Sequence, residues 1–381
     1  MWHRQMRVCF VVNELFHWGL YGGFGALTRT IGRQLVKRGI EVYVVMPQSS
    51  KHQRLIETLD GMIVLSVPSK FHWFTMLPSF RSRSLFKRCE ADIYHSQEPS
   101  PATWMAIRTN PEKEHVITFQ DPMTLDEFRT LWTLTQPNLS YFSRRLLISL
   151  RTENYFTSKA VRRADAVFCQ AKFIIPKVTS MYNLKRQPNF LPNPVSVPER
   201  TMKKADEPTV CFLARWDPVK RPEIFFELAR RFPSVRFIAM GKAHNEEKDR
   251  YLRKRCNDIP NLTCPGFVTE EEKSKILEKS WIYINTSIRE CLPLAFLEAA
   301  AHKCAILSSE NPDDFAENFG YRVTDGSLIA YVKRLKFLLK DDRWKEKGEK
   351  SFKYVKEVHE MNHVIDQHID IYNKLLLTDE A

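Results

Sequence analysis

One pattern constrains this chain more than any other. Short apolar runs alternate with amphipathic stretches, and the rhythm breaks once at a proline-rich segment. In the N-terminal half the runs Arg7–Asn13, Glu41–Pro47, Met62–Pro68, Asp92–Ser96, His115–Gln120 and Ala166–Ala171 read as strands. Gly25–Arg38 and Pro101–Thr109 read as helices, and a longer helical pair is expected over Ser140–Arg163. Strand–helix alternation argues for a parallel sheet covered on both faces. The segment Asn189–Pro208 then carries Pro192, Pro194, Pro198 and Pro208, the composition of a linker. Alternation restarts with strands Thr209–Arg215, Arg236–Gly241, Leu262–Phe267, Trp281–Asn285 and Ala305–Ser309. The helices between them are Pro222–Arg231, Asn245–Cys256, Glu270–Lys279 and Pro293–His302, and helices continue from about Leu328. The expectation is an α/β protein of two doubly wound domains: 1–196, a linker 197–208, 209–345, and C-terminal helices 346–381 packing back toward the first domain. In such sheets ligands sit beyond the carboxyl ends of the strands.

The length of 381 residues suits two domains, and 43% hydrophobic residues suffice for two cores. A net charge of +13 points to an anionic partner: nucleic acid, membrane surface or nucleotide. No zinc finger, RNP motif or basic-region helix accompanies it, which argues against nucleic acid. The cysteines form no C-x-x-C pair, so neither a zinc nor a redox motif is expected. Several lie in strand-like runs, where a small buried apolar side chain is the simple reading. That usage, and a start that reaches strand-like sequence almost at once, lead to an expected cytoplasmic location.

Four sequence features suggest chemistry. The loop from Gly19 to Thr28, with Gly22 and Gly23, turns glycine-rich sequence into a helix start. It fails as a dinucleotide fingerprint, and both a tight turn and an anion contact remain open. The strand Thr209–Arg215 ends in Arg215, and Lys220 stands just before the helix opening at Pro222. Two cations beside a positive helix end make a pyrophosphate clamp, although taken alone a solvated Arg and Lys is the simpler reading and it is the next two features that shift the balance. In the third feature Glu290 lies in a loop, with Cys291, Leu292, Pro293 and Leu294 leading into a helix that carries Glu298 among apolar neighbours. A carboxylate there needs a partner, which ribose hydroxyls would supply. Last, Gly241 and Gly266 end strands, where glycine serves either a close ligand approach or a turn.

The segment Glu290–Glu298 followed by Ala299-Ala300-Ala301 resembles the E-x7-E motif of retaining GT-B glycosyltransferases, family 4. Arg215 and Lys220 match that family's Arg/Lys pair. Asn193 in Leu191-Pro192-Asn193-Pro194-Val195 matches its hinge, Ala164-Asp165-Ala166-Val167 its A-D-x-V strand, and Gly22-Gly23 its acceptor-side loop. The resemblance implies two Rossmann-like domains facing across a cleft. It implies transfer of a sugar from a nucleoside diphosphate to a hydroxyl with retained configuration. Arg215 and Lys220 then neutralise the leaving diphosphate, and Glu290 with the backbone of Cys291–Leu294 orients the sugar and a phosphate. Glu298 meets the ribose, Val268 lies near the base, and Gly241 lines the donor site. Two positions depart from the family: Ala214 replaces the usual glycine, and Gln120, beside Asp121, stands where a histidine near the sugar is common. Gln120 can hydrogen-bond but cannot become cationic.

No cofactor and no metal are expected, the two cations standing in for one. The expected partners are a nucleotide-sugar donor and a glycan or lipid-linked acceptor. An anionic membrane surface is added by Ser69–Arg88, where Phe71, Trp73, Phe74, Phe80 and Phe86 interleave with Lys70, Arg81, Arg83, Lys87 and Arg88. That contact would make the protein peripheral on the inner face of the cytoplasmic membrane. The competing reading of the stretch is core aromatics with a solvated basic face. A GT-B-fold epimerase and a non-catalytic subunit that keeps the fold are the alternative functions.

Overall fold

The computed structural model describes residues 5–16, 23–48, 53–68, 80–135 and 155–378. The chain divides into two compact units, the first holding residues 1–130, 138–194 and 362–381 and the second 131–137 and 195–361.

The strands of the first unit are β1 (Arg7–Val11), β2 (Glu41–Pro47), β3 (Ile56–Leu59), β4 (Met62–Val67), β5 (Ile93–Gln97), β6 (Glu114–Phe119), β7 (Ala166–Cys169) and β8 (Asn189–Phe190). They make one sheet ordered β3-β4-β2-β1-β5-β6-β7-β8. All pairs are parallel except β3 with β4. Among the described residues the interspersed helices are α1 (Gly23–Lys37), α2 (Phe80–Cys89), α3 (Pro101–Thr109), α4 (Leu125–Thr135, of which residues from Leu131 on group with the second unit), α5 (Tyr155–Arg163) and α6 (Ile175–Tyr182). Strands β5 and β6 are buried along their whole length, as parallel strands covered on both faces must be.

The strand β3 goes unread in the sequence because it breaks the parallel rule. It is an antiparallel edge strand joined to β4 through Asp60 (φ 51°) and Gly61 (φ 83°). An Asp-Gly pair with both residues left-handed is the hairpin turn that matches strand twist. The expected helical pair over Ser140–Arg163 appears as α5 alone, residues 140–154 lying outside the described residues. Of the aromatic and basic stretch Ser69–Arg88, residues 69–79 also lie outside them. In the described part Phe86 is fully buried, so this aromatic belongs to the core.

The second unit is built on β9 (Thr209–Leu213), β10 (Arg236–Met240), β11 (Leu262–Gly266), β12 (Ile282–Asn285), β13 (Ala305–Ser308) and β14 (Gly320–Arg322). The order is β11-β10-β9-β12-β13-β14, all parallel. Its helices are α7 (Pro222–Arg231), α8 (Glu246–Asn257), α9 (Glu270–Lys279), α10 (Leu294–Ala301), α11 (Phe315–Phe319), α12 (Leu328–Leu339) and α13 (Arg343–Val358). Local chemistry sets their starts. Pro222 opens α7, the Asn245 side chain caps α8, and Thr269 with Glu272 forms a capping box on α9. The core is aromatic, with Trp216, Phe212, Phe225, Phe226 and Phe237 buried together.

The proline-rich segment is fastened to this unit. The Lys204 ammonium donates to the carbonyls of Leu277 (3.3 Å), Ser280 and His302 (2.6 Å), and lies 3.5 Å from Cys304 Sγ. One cation thus satisfies the carbonyl ends of α9 and α10 together. The cysteines are not all free thiols: Cys256 at the end of α8 is disulfide-bonded to Cys264 in β11. Sequence spacing alone gave no sign of this pair, which the fold brings to a Cα separation of 6.6 Å.

Helix α13 packs on β13 of the second unit, and the chain then returns. The final helix, α14 (Met361–Thr378), belongs to the first unit from Asn362 onward. Its buried Tyr372 hydroxyl meets His95 Nδ1 at 2.7 Å, while His95 Nε2 meets Thr118 Oγ1 at 2.8 Å. The His368 ring lies 5.9 Å from that of His95, and Arg38 bonds Asn362 at 3.0 Å. Burial pushes His368 down to about 4 from an ordinary 6.5, and burial, then His368, holds His95 well below its usual value. Both rings stay neutral when folded. Below pH 6.5 the unfolded chain takes up protons that the fold refuses, so stability falls as pH drops toward 4. For His368 alone the loss by pH 5 is on the order of 2 kcal/mol. Thermal unfolding of His368→Leu should therefore show a smaller loss between pH 7 and pH 5 than the wild type. An identical loss in both proteins would contradict this account.

Candidate functional site

In the second sheet β9 has β10 on one side and β12 on the other, so the connections leave it in opposite directions. A crevice opens at the carboxyl ends where that happens. The loops following β9 and β12 are locked together there. The Asp217 carboxylate accepts the backbone N–H groups of Val219 and Lys220, both at 3.0 Å, which folds the loop after β9. Arg221 adopts a left-handed backbone (φ 47°) and donates to the Thr286 carbonyl at 2.6 Å and the Gly326 carbonyl at 3.3 Å. In return the Thr286 hydroxyl donates to the carbonyls of Lys220 (2.6 Å) and Arg221 (2.9 Å).

This frame sets a buried ion pair. Lys220 Nζ donates to Glu290 Oε1 at 2.6 Å, with the side chains only 19% and 7% exposed. The same oxygen accepts from Ser287 Oγ at 2.6 Å and Asn285 Nδ2 at 3.0 Å. Asn285 is itself held: its Oδ1 accepts from Ser308 Oγ (3.2 Å) and Ser287 N–H (3.1 Å), and its carbonyl from Tyr331 (2.6 Å). Ser287, Thr286 and Ser308 are fully buried and Asn285 nearly so. Every contact described for Glu290 falls on Oε1, so Oε2 is the oxygen left for a ligand.

Arg215 stands at the end of β9 as the sequence suggests. It is half exposed and lies 3.5 Å from Asp217 Oδ2 and 3.4 Å from His244 Nε2. Partial desolvation, then the positive charge of Arg215, holds the His244 imidazole below its ordinary value. Arg215 and the exposed Lys242 gather positive charge beyond β9 and β10, with the neutral-leaning imidazole of His244 beside them.

Glu298 lies on α10, and its Oε1 accepts from Lys273 Nζ of α9 at 2.6 Å. Lys273 also reaches Glu270 at 2.8 Å. Burial pushes the Glu298 carboxyl above its ordinary value, and Lys273 offsets that rise only in part. Between the two glutamates, Leu292 is buried in a left-handed conformation (φ 57°), and Cys291 Sγ lies 3.5 Å from Arg289 Nη2. Pro293 stands at the N-cap of α10 without a side-chain cap, and the Phe296 N–H donates to its carbonyl at 2.9 Å, which leaves the N–H groups of Leu294 and Ala295 without helical partners. Val268 is half-buried just past β11, beside exposed Phe267. Gly241 (φ 124°) has a backbone reason to be glycine: a Cβ there would lie 1.9 Å from the Ala214 carbonyl oxygen. The close approach it permits is to the loop after β9.

The remaining sequence candidates belong to the first unit. Gly22 lies outside the described residues, and Gly23 is the exposed first residue of α1. Gln120 is buried and its amide is engaged within the fold. Its Nε2 donates to Gln97 (2.9 Å) and Asn193 (3.2 Å), and its Oε1 accepts from Asn193 (2.9 Å). Asn193, matched in sequence to a hinge, also donates to Gln170 at 3.2 Å. Gln120 thus braces neighbouring segments through both ends of its amide. Asp121 is half-buried, and its N–H donates to Glu98 at 2.8 Å. Sequence reasoning missed Asn285, Ser287, Arg221, His244 and Lys273. Lys242 and His244 had a signal, since they follow a strand end directly. Lys273 had none, because its partner lies 25 residues away on another helix.

Among the described residues no group of three or more His, Cys, Asp or Glu is placed to hold a metal ion, and no helix is long and apolar enough to cross a membrane.

Comparison with known proteins agrees with this arrangement. Residues 21–197 match the sequence model of Glycosyltransferase Family 4, and residues 197–357 that of Glycosyl transferases group 1. The chain belongs to this glycosyltransferase family, and its fold is GT-B. Sucrose-phosphate synthase from Thermosynechococcus elongatus shares the fold at a TM-score of 0.77 and 14% identity, covering 98% of this chain and 100% of that one. WaaG, a glycosyltransferase involved in lipopolysaccharide biosynthesis, matches at a TM-score of 0.68 and 12% identity over 96% and 99% of the two chains. The catalytic domain of Starch Synthase IV from Arabidopsis thaliana, bound to ADP and acarbose, matches at 0.61 and 12% over 97% and 99%. No curated protein sequence matches the chain.

The ion pair makes a stability prediction. Removing one partner of a buried pair typically costs ~3–5 kcal/mol. Asn285 and Ser287 stay on Glu290 when Lys220 is lost, so Lys220→Met should cost less, about 2 kcal/mol. Adding Glu290→Gln to that variant should recover part of the loss. Denaturant unfolding with an unchanged midpoint in Lys220→Met would refute the pairing.

Proposed function

We propose that this protein transfers a sugar from a nucleoside-diphosphate sugar to a hydroxyl of a glycan or lipid-linked acceptor, with retention at the anomeric carbon. The observation that carries the reading is the Lys220–Glu290 pair at the strand-order reversal, with Arg215 beside it. A diphosphate leaving group builds negative charge, and pre-set cations at a strand-end crevice meet it without reorganising. Arg215, with a planar fork of donors, takes the phosphates bidentately, and Lys220 adds a point charge. The ADP bound in Starch Synthase IV supports a nucleotide as the donor's recognised half.

Glu290 serves the sugar. Its Oε2 accepts from a sugar hydroxyl while Oε1 stays fixed by Asn285 and Ser287. The first-turn N–H groups of α10 and the backbone of Cys291–Leu294 meet a phosphate. Glu298 takes the ribose hydroxyls and Val268 lies against the base. In a retaining reaction with attack on the leaving-group face, the departing phosphate accepts the acceptor's proton and the protein supplies position and charge. No metal or cofactor is assigned a role in this scheme. The basic and aromatic stretch 69–88 supports an anionic membrane surface as the place where a lipid-linked acceptor is met.

Arg215→Ala should weaken nucleoside diphosphate binding by ~2 kcal/mol, the loss expected for a charge-assisted contact. Glu290→Gln should lower kcat more than it raises donor KM. Calorimetry with unaltered affinity in Arg215→Ala and in Lys220→Ala would sink the assignment. Conversion of the donor without transfer to any hydroxyl would instead point to an epimerase.

A further inference from the structure

The donor reading leaves one buried cation without a task. Lys273 sits on α9, is largely buried, and reaches across to Glu298 on α10 at 2.6 Å. Its other carboxylate, Glu270, is 88% exposed, so Glu298 is the partner in a low-dielectric setting. Burial alone would lower the Lys273 amine, but Glu298 and then Glu270 overcome that and hold it raised, so the side chain is an ammonium. Glu298 in turn stands between apolar residues: Phe296, Leu297, Ala299 and Ala300 on its own helix are fully buried. The other titratable groups around it are few. His302, one turn on, is engaged by its Nδ1 with the Glu298 carbonyl (2.7 Å) and by its Nε2 with Ser274 (2.9 Å). Tyr283 on β12 is fully buried and neutral.

We propose that Lys273 is a positioning residue that keeps Glu298 ionised and aims its second oxygen, making the site select a ribose with both hydroxyls. This deepens the donor reading and rests on it. The ammonium occupies Oε1 and leaves Oε2 as an acceptor-only group. An ionised carboxylate takes hydrogen bonds from sugar hydroxyls, whereas a protonated one offers a donor where the ribose also has donors. Without Lys273 the carboxylate would sit among alanines and phenylalanine with nothing opposing its burial. It would then take up a proton at a higher pH than in the wild type. Lys273 acts on the donor through Glu298 alone.

The test is binding of the diphosphates of uridine, adenosine and guanosine, each against its 2′-deoxy form, by calorimetry. The proteins are the wild type, Lys273→Met, Lys273→Gln and Lys273→Arg, each measured at about pH 6 and about pH 8.5, on either side of the range into which a buried carboxylate is raised. The wild type should favour the ribonucleotide at both. Lys273→Met and Lys273→Gln should lose that preference several-fold at the lower pH and regain it at the higher, where Glu298 ionises unaided. Lys273→Arg should keep it throughout. A merely structural role for Lys273 would weaken ribo and deoxy forms alike at both pH values, and that result overturns the proposal. Should Lys273→Met not fold, Lys273→Gln carries the same comparison with a smaller change of polarity. If the wild type bound none of the diphosphates, the donor reading itself would fall and this inference with it. Wild-type ribose preference with the same preference in every variant at both pH values would overturn the inference alone.

Discussion

The second unit's site depends on Glu290 Oε1. Three donors converge on that one atom: an ammonium, an amide and a hydroxyl. A carboxylate so deeply placed would be costly without them. With them it becomes a fixed acceptor whose position is set by strands β9 and β12. The donors are fixed in turn. Asn285 is gripped by Ser308, Ser287 and Tyr331, and the backbone of Lys220 and Arg221 by Thr286. The arrangement is a polar layer laid across the carboxyl edge of an otherwise aromatic and aliphatic core.

That layer explains why the chain uses small polar residues where a strand end might carry any side chain. Asn285-Thr286-Ser287 and Ser308-Ser309 all bond across strands. Replacing one with an apolar residue would leave a buried partner without its bond. Arg221 makes the same point from the other side. Its guanidinium is far from idle surface charge: it ties the loop after β9 to the carbonyls of Thr286 and Gly326. A cation next to Lys220 in sequence thus has a structural task, while Lys220 faces the carboxylate.

Much of the fold was legible because apolar runs of parallel strands and capped amphipathic helices announce themselves locally. Pro101–Thr109, Pro222–Arg231 and Glu270–Lys279 were read to the residue, each with a proline or a capping box at its start. What escaped was of two kinds. The β3–β4 hairpin carried its Asp60-Gly61 signal, but it is an antiparallel exception in a parallel pattern. The short strands β8 and β14, of two and three residues, are defined by their neighbours and not by their own sequence. At the site, Arg215 and Lys220 stand out as charges at a strand end and before a helix, and Glu290 and Glu298 as carboxylates in a loop and in an apolar helix, all visible in one dimension. Lys273, Asn285 and Ser287 became functional candidates only through contacts that folding creates. Gln120 shows the converse case: a polar residue at a strand end is visible in one dimension, but its partner Asn193, 73 residues away, is not.

The cations of the site differ in how they are balanced, and this orders their use. Lys220 and Lys273 are each neutralised by a shielded carboxylate, whereas Arg215 is half exposed with Asp217 at 3.5 Å and a neutral-leaning imidazole on its other side. In the proposed reaction an approaching diphosphate would meet Arg215 first, because its guanidinium is the least committed of the three. Lys220 can then turn toward the phosphate without stranding Glu290, since Asn285 and Ser287 remain on the same oxygen. A buried carboxylate with a single partner would resist that exchange by several kcal/mol. One held by three donors gives up the ammonium at a smaller cost. Convergence on Oε1 would therefore do two jobs in the proposed reaction: it fixes Glu290 where a sugar would lie, and it leaves Lys220 free to follow charge developing on a leaving group.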